Sequence, residues 1–153
     1  MEIYVRPYDA LDWTAIARIH DAARVQELRT TVGLEAYLDL AAAHEAEGLF
    51  DGEVWVAELD GEVAGFIAGT PDEITWMYVD PARQRQGVGR ALIGHVLARA
   101  SGPVRLEVLD GNPARAFYER LGFMIEATTT GRLAGNEAFA ATGHTMVWHP
   151  PVP

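Results

Sequence analysis

Gln84-Arg85-Gln86-Gly87-Val88-Gly89-Arg90-Ala91-Leu92 is the stretch on which the reading of this chain turns. It follows a β-rich run, Glu73 to Val79, and the break Asp80-Pro81, and it opens a segment of helical spacing from Gly87 to about Ala100. A helix N-terminus presents unpaired backbone N–H groups and a partial positive charge, which together suit an anion such as a diphosphate. Gly87 and Gly89 carry no side chain to keep a phosphate off the backbone, and Arg83, Arg85 and Arg90 add positive charge. A plain glycine turn at a helix start would read the same way. The dinucleotide fingerprint needs a third glycine where Leu92 stands, and the mononucleotide P-loop needs a lysine, of which the chain has none.

Outward from this stretch the hydrophobic period marks the other elements. On the N-terminal side the pattern predicts an opening strand over residues 3–7. A helix capped by Asp9 or Asp12 follows to about Arg24, and a second helix covers 34–47; the form of 25–33 stays open. Strands over 53–59 and 62–69 flank the hairpin signal Asp60-Gly61. On the C-terminal side a strand over 104–109 precedes a helix over 113–121 that Gly122 closes. Two strands, 123–130 and 139–148, finish the chain before a frayed proline-rich tail. The expected fold is α/β with a mixed sheet: strand, two helices, three strands, helix, strand, helix, two strands, with helices on both faces. The strand–helix–strand unit from Glu73 to Leu109 should be a right-handed parallel crossover.

A length of 153 residues suits one domain, and 49% hydrophobic with 22% charged residues is ordinary for a globular chain. No apolar run approaches the ~20 residues of a membrane helix, and the N-terminus carries no signal-peptide pattern. The expected location is therefore cytoplasmic, without membrane partners. Without cysteine, disulfides, thiolate metal sites and a cysteinyl acyl-enzyme are excluded, and the five histidines show no metal spacing. The net charge of -10 lies entirely in the first part: residues 1–62 hold fourteen acids and four arginines, and residues 63–153 hold eight of each. Such a chain lacks the basic face that nucleic acid requires. The acidic half suits a cationic amine partner, or serves solubility alone.

Two segments together resemble the GNAT (Gcn5-related N-acetyltransferase) superfamily. Gln84 to Gly89 resembles its Gln/Arg-x-x-Gly-x-Gly/Ala signature, preceded by Trp76-Met77-Tyr78-Val79-Asp80-Pro81; Asn112 to Phe123 resembles its second conserved helix. The resemblance implies one N-acetyltransferase domain over 1–153, with a coenzyme-binding core at 73–123 and acceptor-side elements at 1–50 and 124–148. It implies acetyl-CoA as co-substrate, no metal, an amine acceptor on a small molecule, peptide or protein, and a homodimer as is common in the family. The coenzyme would contact Gln84, Arg85, Gln86, Gly87, Val88, Gly89 and Arg90, the backbone of Met77 and Val79, and Asn112.

For the chemistry, the resemblance makes Tyr118 the acid that protonates the leaving thiolate, with an ordinary phenol pKa of roughly 10 keeping it protonated. It also offers Glu73 as the base, acting through a water. Strand alternation puts Glu73 on one face with Thr75, Met77 and Val79, roughly 13 Å from Met77 at ~3.3 Å per residue. Glu73 reads equally as a solvated carboxylate at a strand start, and Asn112 equally as a helix cap before Pro113. Glu107 is a weaker candidate base, and Arg115 a weaker phosphate contact. The acceptor site is expected near Arg24, Gln26, Glu27 and Arg29, with His144 a further residue on that side. A coenzyme-binding sensor without turnover is the rival reading.

Overall fold

The computed structural model describes residues 2–152. Strands β1 (Ile3–Pro7), β2 (Glu53–Leu59), β3 (Glu62–Thr70), β4 (Glu73–Val79), β5 (Val104–Leu109), β6 (Met124–Arg132) and β7 (Ala140–Trp148) form one seven-stranded sheet in the order β1-β2-β3-β4-β5-β7-β6. All neighbours run antiparallel except β4 and β5, as the crossover expectation requires. Helix α3 (Val88–Ala98) makes that crossover and packs with α4 (Ala114–Arg120) on one face, around Leu92, Ile93, Phe117 and Phe123. Helix α1 (Trp13–Arg29) and the short α2 (Leu40–Ala43) cover the other face, around Ile16, Ile19, Leu40 and Phe66. Each of these side chains except the partly buried Phe117 contributes ~1.5–3 kcal/mol relative to exposure. Among the described residues no helix is long and apolar enough to cross a membrane.

Three expectations need correction. Helix α1 does not stop near Arg24: it runs to Arg29, because Leu28 extends its buried stripe and anchors a small cluster with Ala36 and Leu133. The helix expected over 34–47 is mostly absent. Only a 3₁₀ turn at Leu34–Ala36 and the four residues of α2 form, because Tyr37 and Asp39 are extended. Asp39 caps Ala42 N–H from that conformation, while Asp21 captures Leu40 N–H. Finally, strand alternation does not hold through β4. Trp76 pairs with Ala68 but Ile74 pairs with Gly69, so Thr75 is an extra residue in a bulge. Ile74, Met77 and Val79 therefore share the α3 face, while Trp76 and Tyr78 point to α1.

One feature of the sheet shapes the site. β4 and β5 pair only at Glu73–Arg105 and Ile74–Leu106. Beyond that point β5 stays fully paired with β7, so the sheet splits, and among the described residues β4 from Thr75 onward has no strand partner on its β5 side.

Candidate active site

The split is a cleft of about 600 Å³. Its walls are Thr75 to Val79 of β4, Leu106 to Val108 of β5, the loop before α3, and Phe117 and Tyr118 of α4. Gln84, Arg85, Gly87, Val88, Gly89 and Arg90 all line it, whereas Gln86 stands outside the lining. The loop's backbone fits an anion. Arg85 (φ 64°) and Gly87 (φ 92°) are both left-handed, and the first intrahelical bond runs from Ala91 N–H to Gly87 C=O. The N–H groups of Val88, Gly89 and Arg90 thus have no helical acceptor. At Gly87 a side chain would be strained by that φ. Arg85, Arg90 and Arg120 line the same cleft.

Met77 and Val79 aim their side chains at α3, where Met77 Cε and Val79 Cγ2 each lie 3.6 Å from the position a Gly89 Cβ would take. What they offer the cleft is backbone along the unpaired edge of β4.

Tyr118 is 6% exposed, edge-to-face with Phe117 and Phe123. Among the described residues no group hydrogen-bonds its hydroxyl. Burial, and then the charge of Glu27, hold its phenol well above the ordinary tyrosine range. It is therefore a protonated donor over the whole physiological range.

A second cavity, about 590 Å³, lies on the α1 side of the split. Glu27, Glu47, Glu73, Glu107 and Glu137 line it, with Arg24 and Arg132 as the cations. Arg24 is paired with Glu27 at 2.5 Å. Burial raises the Glu47 carboxyl above its usual range; Arg24 opposes this, and Glu27 and Glu137 add to it. Glu27, Ile74, Thr75, Trp76, Tyr78 and Glu107 line both cavities, so the two meet across the split.

Glu73 lines this second cavity and not the loop cleft, since the Thr75 bulge removes it from the face of Met77 and Val79. Asn112 lines the cleft and caps α4, its Oδ1 accepting from Ala114 N–H at 2.8 Å. Its Nδ2 donates to Glu27 Oε2 at 3.2 Å. Arg115 pairs with Glu119 along α4 and lines neither cavity. His144 also lines neither: it is buried between Thr128 (2.8 Å) and Asp110 (2.9 Å). Of the region expected for the acceptor, Arg24 and Glu27 line the second cavity, and Gln26 lines the cleft and binds Gln84 at 3.2 Å. Arg29 lines neither. Sequence reasoning gave Glu27 no individual role, and it left Glu47 and Glu137 out altogether; the acidic bias of the first half hinted at Glu27 and Glu47, and nothing hinted at Glu137.

The chain is also similar to known proteins. Residues 50–125 match the family model of the acetyltransferase (GNAT) domain. Over 90 residues the chain is 31% identical to the uncharacterized N-acetyltransferase YafP of Escherichia coli K12, covering 59% of this chain and 58% of that one. Over 80 residues it is 32% identical to the peptidyl-lysine N-acetyltransferase YjaB of Salmonella typhimurium, covering 52% of each. It thus spans about half the length of the curated relatives it matches. The structure of yncA from Salmonella typhimurium with its cofactor acetyl-CoA has the same fold, with a TM-score of 0.67 at 23% identity over 99% of this chain and 95% of that one. With its split sheet, its glycine loop at the start of α3 and this domain match, the chain belongs to the GNAT superfamily.

Proposed function

We propose that this protein transfers the acetyl group of acetyl-CoA to a primary amine by direct attack in a ternary complex. The observation that carries the reading is the meeting of two cavities across the split between β4 and β5. One has an anion-binding loop and a bare strand edge; the other is lined by carboxylates. In this reading the diphosphate lies on the N–H groups of Val88, Gly89 and Arg90, with Arg85 and Arg90 alongside. The pantetheine arm adds to the free edge of β4 at Met77 and Val79, as an extra strand would. Asn112 borders the arm, and Tyr118 faces the sulfur from α4.

The amine nitrogen attacks the thioester carbon, the N–C bond forms and the C–S bond breaks. Tyr118 gives its proton to the departing thiolate and regains one from the nitrogen. A backbone N–H of β4 near Met77 meets the carbonyl oxygen as charge develops there. Holding both reactants across the split replaces a bimolecular encounter with an oriented one. The acceptor enters from the carboxylate-lined cavity, which favours a cationic amine of a small molecule, peptide or protein.

The test is release of free thiol from acetyl-CoA with a panel of mono-, di- and polyamines and lysine peptides. Thiol release with at least one cationic amine is expected. Stabilisation by acetyl-CoA with no release from any amine would leave the chain a coenzyme-binding domain.

A further inference from the structure

Three donors converge on one carboxylate at the junction of the two cavities. Glu27 Oε1 accepts from Arg24 Nη1 at 2.5 Å and from the Tyr78 hydroxyl at 2.9 Å. Among the described residues its Oε2 accepts only from Asn112 Nδ2, at 3.2 Å. A carboxylate oxygen has two acceptor positions, so Oε2 keeps one unused. The side chain is 17% exposed, and it lines both cavities. Its charge acts on Tyr118 across the cleft, so acid and carboxylate flank the same space.

The fold goes to some trouble to place this group. Gly111 has φ +91°, and a Cβ there would stand 2.1 Å from Thr30 O, so the loop carrying Asn112 presses directly on the end of α1. Tyr78 points to α1 with its cross-strand partner Phe66. Neither Glu73 nor Glu107 is gripped in this way. Glu73 does not reach the cleft, and Glu107 Oε1 lies over the backbone of Gly143 on β7.

Building on the transferase reading, we infer that Glu27 is the base: its Oε2 takes the first proton from the acceptor ammonium, with Arg24, Tyr78 and Asn112 as positioning residues. The protons then balance. An ammonium becoming an amide nitrogen gives up two. The first goes to Glu27 and on to solvent; the second replaces the one that Tyr118 gives to sulfur. The groups facing Glu27 set its behaviour. Arg24 from α1 is the cation against it, while His20 from α1 is buried and held towards its neutral form. Tyr78 from β4 donates and stays protonated, because burial and then Glu27's charge raise its phenol well above the ordinary range. Glu47, Glu73 and Glu107 contribute like charge around the shared cavity.

The experiment is the pH profile of kcat/KM for the full chain and for E27Q, E73Q, E107Q and Y78F, with acetyl-CoA binding followed separately by thermal shift. Gln at position 27 keeps the size of the side chain and one oxygen for Arg24 and Tyr78 but cannot take a proton. E27Q should lose roughly 100-fold in kcat and lose the acidic limb of the profile, while acetyl-CoA still stabilises it. Y78F removes one donor to the charged carboxylate, so its acidic limb should move to higher pH. E73Q and E107Q should keep the limb. An intact limb in E27Q, an unmoved limb in Y78F, or loss of the limb in E73Q or E107Q would overturn the assignment to Glu27 while leaving the transferase reading standing. A wild-type chain that releases no thiol with any amine would overturn both.

Discussion

Asn112 donates to Glu27 across 85 residues of sequence, and this bond ties the loop before α4 to the last turns of α1. The same asparagine caps α4, the helix that carries Tyr118. One side chain thus sets the distance between the group proposed to take the amine's proton and the group proposed to protonate the thiolate.

Gly111→Ala should disturb this bond first. Alanine must abandon the left-handed φ or push back Thr30, at a cost of about 1–3 kcal/mol. For a domain of this size that lowers Tm by roughly 2–4 °C per kcal/mol. The midpoint should fall, and kcat/KM with it; an unchanged Tm would mean that the loop does not rest on α1.

Tyr118→Phe should lower kcat by roughly 100-fold while barely changing acetyl-CoA affinity. In the wild type, burial and then the Glu27 charge raise the Tyr118 phenol, so the donor stays protonated as pH rises past its ordinary value of about 10. Any alkaline loss of kcat due to this group must therefore begin above pH ~10. Full activity of the phenylalanine variant removes Tyr118 from the mechanism.

Gly89→Val tests the loop. A Cβ at this position would lie 3.4 Å from Phe117 Cζ, so valine's further methyls are driven against α4 or into the phosphate path. A Kd for acetyl-CoA raised about tenfold or more, ~1.4 kcal/mol, is expected by calorimetry. Normal affinity would remove the phosphate from this loop.

Glu47→Gln separates stability from acceptor binding. Glu47 has a raised carboxyl pKa in the folded state, so the folded chain binds its proton more tightly than the unfolded one. Stability that is fully present below the unfolded pKa is lost as pH climbs through the folded one, and ionised Glu47 is a net cost at neutral pH. Glutamine removes that cost. Tm of the variant should exceed the wild type at pH ~7 and converge with it below pH ~4. KM for cationic amines should rise at the same time. A variant less stable at neutral pH would contradict the burial of this charge.

The fold was legible where periodicity was strong. All seven strands, α3 and α4 stand within a few residues of their expected places, because alternation and turn signals are local. The segment after α1 misled, since its apolar residues at helical spacing are interrupted by Asp39, whose side chain favours a cap over a continuing helix. The glycine loop and Tyr118 were visible as motifs. Glu27 as an individual was not, because its partners Tyr78 and Asn112 lie 51 and 85 residues away. Glu73 was misplaced by the Thr75 bulge: counting by twos along a strand fails once one residue is extra.

The most direct test of the central claim is single-tube incubation with acetyl-CoA and a diamine, reading free thiol and acetylated amine together for the wild type and Tyr118→Phe. Thiol and N-acetyl product should form in equal amounts with the wild type and fall together by roughly 100-fold in the variant. Thiol without acetylated amine, or neither product from a chain that acetyl-CoA still stabilises, would contradict amine acetylation across the split sheet.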